Sequence, residues 1–281
     1  MQLHKPRGQA MRAFKVPSLA LTVVAAIFSL SSATQSLASG NKELSKRIVV
    51  VGELHGSEQA PAALGQFVQH AMASGEHVAI GIEAPACLLT EYFPPARVIQ
   101  LDGDRGPTCD RGALADGRFN KSLLGSVHAA LESSPAVSVF ALEDARGKAY
   151  EGKAWDPSRW ERRAAERIGS IAERTHVVAL TGNLHGRRAS YDHDGRPVTT
   201  FVMLLGPRAT NVTIDSAQDG SVFACFETCK VQQVRASAKG GGTGLNCGAA
   251  TPGYDCQLVV DRYSAANLLS DNKMVQREAE K

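Results

Sequence analysis

The chain has 281 residues, with 31 Lys and Arg against 28 Asp and Glu, a formal charge of +3, 43% hydrophobic residues and six cysteines. These proportions exclude intrinsic disorder, collagen-like repeats and a bare coiled coil, and describe an ordinary globular protein. The positive excess is local. Residues 1–38 carry Lys5, Arg7, Arg12 and Lys15 and no acid, so the remainder holds 27 basic residues (31 less 4) against 28 acidic ones, and no nucleic-acid partner or anionic membrane surface is expected.

In chain order, that basic segment precedes an apolar run from Leu19 to Leu30 and then Ser36-Leu37-Ala38 before Ser39. Charge, apolar stretch and small residues at the end make a secretory signal peptide over 1–38. The run falls short of the roughly 20 residues a spanning helix needs, so no stable membrane anchor is expected, and the protein is exported to a periplasmic or extracellular space. The six cysteines, Cys87, Cys109, Cys225, Cys229, Cys247 and Cys256, all lie beyond residue 38. An even number in an oxidising compartment reads as disulfides. Proximity pairs Cys87 with Cys109 and leaves the other four to pair among themselves. Their intervals do not match the paired short knuckles of a four-cysteine zinc site.

Five apolar, β-branched blocks follow: Ile48 to Val51, Val78 to Ile82, Val137 to Leu142, Val177 to Leu180 and Phe201 to Leu205. Continuous apolarity marks strands covered on both faces. Between them, helical spacing links Leu64, Phe67, Val68 and Ala71, then Leu123, Leu124, Val127 and Leu131, then Trp160, Ala164, Ile168 and Ile171. Asp156-Pro157 opens the third stripe with a capping acid and a first-turn proline. The fold class expected over 39–206 is therefore α/β, a layered, largely parallel sheet flanked by helices. Residues 207–281 form a cysteine-stapled, β-rich extension of the same domain. There, Asn211 to Asp215 and Ser221 to Phe226 around Asp219-Gly220 suggest an antiparallel hairpin, Tyr254 to Val260 a last strand, and Ser270 onward a polar tail.

Ligand sites of parallel sheets lie beyond the carboxyl ends of the strands. The first block is followed by Gly52-Glu53-Leu54-His55-Gly56, the second by Glu83, the third by Glu143-Asp144, and the fourth by Thr181-Gly182-Asn183-Leu184-His185-Gly186. Two imidazoles and several carboxylates thus meet one sheet edge. The third Gly-x-x-His, Gly125 to His128, falls within a helical stripe and is expected on a helix surface. His77 and His176 precede strands and belong to the opposite edge. Three kinds of chemistry suit the convergent set. It can bind a divalent metal through His55, His185, Glu53 and Glu83, leaving a position for water. It can activate water without a metal, with a histidine as base. It can hold haem through a histidine. Asp192 to Gly195 reads as a solvated turn, the mixed charges of 159–167 as an exposed helix face, and Asn211-Val212-Thr213 as a glycosylation acceptor pattern.

The motifs Gly-Glu-x-His-Gly, a strand-ending glutamate and Leu-Thr-Gly-Asn-x-His resemble the superfamily that joins the ChaN-like haem-binding lipoproteins, the erythromycin esterases and the TraB/Tiki proteins. The resemblance covers roughly residues 47–205, and the Glu-x-His spacing is nearest to the ChaN-like pattern. It implies an α/β fold whose site is built from Glu53, His55, Glu83 and His185. Members include metal-free hydrolases, metal-dependent proteases and haem binders. The superfamily often has an arginine opening the helix before the last motif; here Trp160 takes that register and Arg159 is the candidate beside it. The expected activity is that of an exported hydrolase acting on a small-molecule or peptide substrate, with His55, Glu53, Glu83, His185 and Arg159 as catalytic candidates. A non-catalytic haem- or metal-binding protein is the alternative.

Overall fold

The computed structural model describes residues 42–104, 109, 111–144, 155–225, 228–238, 242–248 and 251–269; residues 1–38, expected as a signal peptide, residues 239–241 of the glycine-rich run and the tail from 270 lie outside the described residues. The strands are β1 (Ile48–Glu53), β2 (Val78–Pro85), β3 (Val137–Glu143), β4 (His176–Gly182), β5 (Tyr191–His193), β6 (Arg196–Val198), β7 (Ala209–Gln218), β8 (Gly220–Cys225), β9 (Cys229–Val234), β10 (Gly244–Cys247) and β11 (Cys256–Arg262). The helices are α1 (Gln59–Met72), α2 (Ala86–Tyr92), α3 (Gly112–Ala115), α4 (Lys121–Ser133), α5 (Pro157–Ala172), α6 (Asn183–Gly186) and α7 (Phe201–Leu205). Seven strands form one sheet in the order β10-β11-β7-β1-β4-β2-β3. Only the edge pair β10–β11 is antiparallel in it. The expected layered, largely parallel α/β sheet is thus observed.

Alternate residues of each central strand enter different cores, which is why the blocks are apolar throughout. Val49, Val51, Ile80, Ile82, Val139 and Val178 pack with Leu64, Phe67 and Val68 of α1 and Leu123 and Val127 of α4 on one face. Ile48, Val50, Phe140 and Leu142 pack with Trp160, Ala164 and Ile168 of α5 and Phe201 of α7 on the other. The change of face follows from chain direction. From β1 to β3 the chain moves one way across the sheet, and after β3 it turns back to place β4 between β1 and β2. Right-handed crossovers in opposite directions put their helices on opposite faces. The helix starts also follow the sequence: the Asp156 and Asn120 side chains accept from the backbone N–H of Arg159 and Leu123.

Two sequence expectations are corrected. Phe201 to Leu205 is the helix α7, not a strand: Thr200 caps it, Gly206 at φ +62° ends it, and Phe201, Val202 and Leu205 are buried while Met203 and Leu204 are exposed. Five apolar residues carry no period long enough to separate strand from helix. After β4, the next strand along the chain to join the large sheet is instead β7, which pairs parallel with β1 and β11. It forms no hairpin with β8, whose partner is β9. Gly220 makes no tight turn. It lets the chain approach the end of β11, where an added Cβ would stand 2.4 Å from the Tyr263 carbonyl oxygen, and Ser221 N–H donates to that same oxygen.

The disulfides are Cys87–Cys109, Cys225–Cys229 and Cys247–Cys256, so the first pair and the tail grouping match the expectation. They fit an oxidising, exported environment, and among the described residues no helix is long and apolar enough to cross a membrane.

Candidate functional site

The ordering of β1, β4 and β2 builds the site. Glu53 ends β1 directly across from Gly182 of β4, and β2, on the other side of β4, brings Glu83. Glu83 Oε2 accepts from Gly182 N–H at 2.8 Å and from the Thr181 hydroxyl at 2.7 Å. The strand-end glycine is needed here, because a Cβ at Gly182 would lie 2.6 Å from His55 Nε2. His55 therefore rests on bare backbone at the tip of β4. Its Nδ1 is 3.1 Å from Glu53 Oε1, and its Nε2 is 3.8 Å from Glu83 Oε2. The Glu53 carboxylate can only accept, so Nδ1 carries the proton and Nε2 keeps a lone pair in the neutral ring. Glu53 and Glu83 are buried, whereas the His55 side chain is 28% exposed.

The loop that holds His55 is clamped by the C-terminal extension. Gly56, at φ +73°, gives its carbonyl to Phe223 N–H (3.0 Å) and Ala266 N–H (2.7 Å), and Glu58 N–H donates to Ser264 O at 2.9 Å. Any side chain at Gly56 would strike the Phe223 carbonyl, because its Cβ would fall 1.8 Å from that oxygen.

The cation of the site is Arg118, in the loop after α3. Its Nη1 donates to Glu143 Oε1 (2.8 Å) and Glu83 Oε1 (3.2 Å), and its Nε donates to Asp116 Oδ2 at 2.7 Å. Burial works against its charge, but Glu143, Asp116 and Glu83 together hold the guanidinium firmly protonated. Burial also raises the Glu53 carboxyl above its ordinary value, despite its hydrogen bond to His55. For His55, burial works to lower the pKa, but the Glu53 hydrogen bond and the charges of Glu83 and Glu53 outweigh it and the value lies above 6.5.

His185 takes a different neighbour. Its Nδ1 is 2.7 Å from Glu161 Oε1 of α5, and Glu161 Oε2 accepts from Phe201 N–H at 2.7 Å. The ring lies 4.3 Å from the Trp160 ring and 5.8 Å from that of Tyr191. The candidates thus fall into two groups, Glu53, His55 and Glu83 with Arg118, and His185 with Glu161. The groups meet at a close contact of two glycines: an added Cβ at Gly186 would meet Gly52 Cα at 2.9 Å. Among the described residues no set of three or more His, Cys, Asp or Glu is arranged to hold a metal ion. The space between Glu83 and Glu143 is filled by the Arg118 guanidinium, and His185 is turned to Glu161. The metal set His55, His185, Glu53 and Glu83 therefore does not fit, and no step below passes through a metal.

Arg159 stands on an exposed part of α5, on the wall of a cleft beyond β3, while Arg118 pairs the carboxylates. Arg118 and Asp116 carried no sequence signal, since a Gly-rich loop has no period to betray a buried charge. Glu161 did: it falls on the stripe of Ala164, Ile168 and Ile171. The expectation of an exposed 159–167 face fails there, because Glu161 is fully buried and Arg167, also buried, binds Asp104 at 2.5 Å and Ala141 O at 2.7 Å. Asn211 is fully buried and its amide donates to Gly186 O (2.9 Å) and Gly253 O (2.8 Å), so it is a structural tie and not an accessible glycosylation acceptor. Asp194 and Gly195 are the tight turn of the β5–β6 hairpin, both at positive φ. His128 does lie on α4, partly buried against Phe93 at 5.1 Å.

No protein-family model and no curated protein matches the chain. Among solved structures, it is similar to the RRSP effector domain of a MARTX toxin from Vibrio vulnificus CMCP6, with 14% identity and a TM-score of 0.39. The match covers 73% of this chain and 40% of that one.

Proposed function

We propose that the protein is an exported hydrolase that activates water at His55 without a metal, against an ester or amide of a small molecule or peptide. The observation that carries this reading is a partly exposed imidazole with Nδ1 held by a buried carboxylate and Nε2 left as an acceptor at the open edge of the sheet. Fixing one ring nitrogen to a carboxylate orients the ring and stabilises the imidazolium that forms when the other takes a proton.

In the forward step, Nε2 removes a proton from water as the water oxygen adds to the carbonyl carbon. The carbonyl electrons move to its oxygen, and return as the leaving group departs with the proton from the imidazolium. Glu53 and Glu83 favour the charged ring between these events. Glu83 itself is kept in place by Thr181, Gly182 and Arg118, and so serves to position and to charge-balance.

The test is hydrolysis of a panel of activated esters and arylamides by the purified protein, before and after chelator treatment. Turnover that survives chelation and falls about a hundredfold or more in His55→Ala is expected. Equal rates in wild type and His55→Ala, on every substrate cleaved, would remove the assignment.

A further inference from the structure

Two arginines follow α6 side by side, and the chain treats them differently. Arg188 donates to the Asp255 carboxylate and to the carbonyls of Val202, Gly206 and Ala209. Arg187 donates to nothing. Its Nε is buried without a hydrogen-bond partner, the only arginine nitrogen of which that is true among the described residues. A buried N–H left without an acceptor costs stability, and in a native structure such a group marks a place where something from outside the chain binds.

The backbone beneath Arg187 is fixed on both sides. Gly186 O accepts from Asn211 Nδ2 at 2.9 Å, Arg187 O accepts from the Thr200 hydroxyl at 2.7 Å, and Arg188 N–H donates to Gly253 O at 2.7 Å. The side chain itself is half-buried and so remains in reach of solvent. Its position is marked by Tyr254. Burial raises that phenol above its ordinary value, and the Arg187 charge works against the rise, which places the guanidinium beside the hydroxyl. The same hydroxyl donates to Asn183 O at 2.7 Å and would stand 3.0 Å from a Cβ on Gly52. Gly52 precedes Glu53, and Asn183 follows the Gly182 on which His55 rests, so Arg187 belongs to the ends of the two strands that hold the imidazole. The acids of this region are engaged elsewhere: Asp255 pairs with Arg188, and Asp215 accepts from Gln257 Nε2 at 2.9 Å.

We propose that Arg187 anchors a carboxylate of the substrate, so that the hydrolase selects esters or amides carrying a negative charge away from the bond that is cleaved. A guanidinium is planar, always charged, and matches a carboxylate with two parallel donors; held on a fixed backbone, it loses little freedom on binding. The assignment rests on the hydrolase reading for its place in turnover, but binding of the anion is measurable without it.

Two readouts test it. In nitrogen-labelled protein the Arg187 Nε–H resonance, identified by its loss in Arg187→Gln, is followed by NMR during titration with linear dicarboxylates from succinate to suberate, and with the diols of the same lengths. A saturable shift with a dicarboxylate and none with its diol is expected, weakening as salt is added. The second readout compares the mono-4-nitrophenyl esters of these acids with the same esters methylated at the free carboxyl. In the wild type kcat/KM is expected to favour an anionic ester by about tenfold or more; Arg187→Gln brings the ratio close to one, and Arg187→Lys keeps part of it. Circular dichroism of each variant establishes that it folds. Absence of a saturable shift with every dicarboxylate, or a preference for the anionic ester that survives in folded Arg187→Gln, would overturn the proposal. Saturable binding with no ester or amide cleaved would sink the hydrolase reading and leave the anchor. Cleavage of anionic and methylated esters at equal rates by the wild type would sink the anchor and leave the hydrolase.

Discussion

Gly182 decides where the His55 ring lies. Replacing it with alanine puts a methyl 2.6 Å from Nε2, and the partly exposed imidazole is the part able to move. A shift of about an ångström in a catalytic group costs on the order of a hundredfold in rate; kcat/KM of Gly182→Ala is expected to fall by about that factor, with the denaturation midpoint nearly unchanged. A collapse of stability with undiminished specific activity would contradict this. The pH dependence belongs to the His55–Glu53 pair. His55 must be neutral to accept a proton and its pKa is raised above 6.5, so kcat/KM rises with pH along an acid limb centred above 6.5. Glu53→Gln removes the hydrogen-bonded charge that does the raising, and the limb is expected to move to lower pH. A limb that stays in place or moves up would show that Glu53 does not set the charge of the ring. His55, Glu53 and Glu83 were legible because each directly ends or follows a strand, where backbone topology alone dictates location.

At the scale of elements, the loop from α3 to α4 matters through Arg118. It bridges Glu83 and Glu143 and reaches Asp116, so two strand ends and a loop meet on one guanidinium. Arg118→Met leaves Glu83 and Glu143 buried without their cation, and loss of about 3–5 kcal/mol in chemical denaturation is expected. Arg118→Lys is expected to rescue little, since one ammonium cannot reproduce donors pointing in separate directions. Full recovery by lysine would mean that charge alone suffices. The β8 strand is a second such element. Phe223 N–H holds the Gly56 carbonyl, and an added Cβ at Gly117 would stand 2.9 Å from the Phe223 ring, so β8 touches both the His55 and the Arg118 loops. Gly56→Ala combines positive φ with a clash on Phe223 O and is expected to cost about 2 kcal/mol or more, read as a lowered thermal midpoint.

Over the whole molecule, the extension after residue 207 supplies three strands of the large sheet, β7, β11 and β10, and it closes over the His55 loop. Its charge tie is Arg188 with Asp255, at 2.8 Å. Burial works to raise the Asp255 pKa, but Arg188 and the Asn211 N–H outweigh it and the value lies below 3.8. A carboxyl depressed on folding contributes stability above its unfolded pKa and loses it as pH falls through the folded one. Asp255→Asn is therefore expected to lower the thermal midpoint at neutral pH and to narrow its gap to wild type as the pH falls below 3.8; a gap constant with pH would discount the pair. Reduction is expected to act in the same region and at Cys87–Cys109, whose 22-residue separation corresponds to about 3 kcal/mol of loop entropy. The midpoint should drop on adding a reductant.

The apolar blocks that open β1, β2 and β4 and the 3.6-residue stripes of α1, α4 and α5 are written in the chain, because a strand covered on both faces and a helix covered on one each impose their own local pattern. The strand ends that carry Glu53, Glu83 and Thr181-Gly182 follow from them. Three things were not local. The helical state of Phe201 to Leu205 depends on a cap and a glycine around a stretch too short to show a period. The partner of β7 depends on which edge of the sheet is open when the chain arrives there. The position of Arg118, and the turning of His185 to Glu161, depend on which counter-charge burial leaves within reach. Such pairings are set by desolvation and distance in three dimensions, and residues 63 or 25 apart, like Arg167 with Asp104 and Arg118 with Glu143, leave no trace in spacing along the chain.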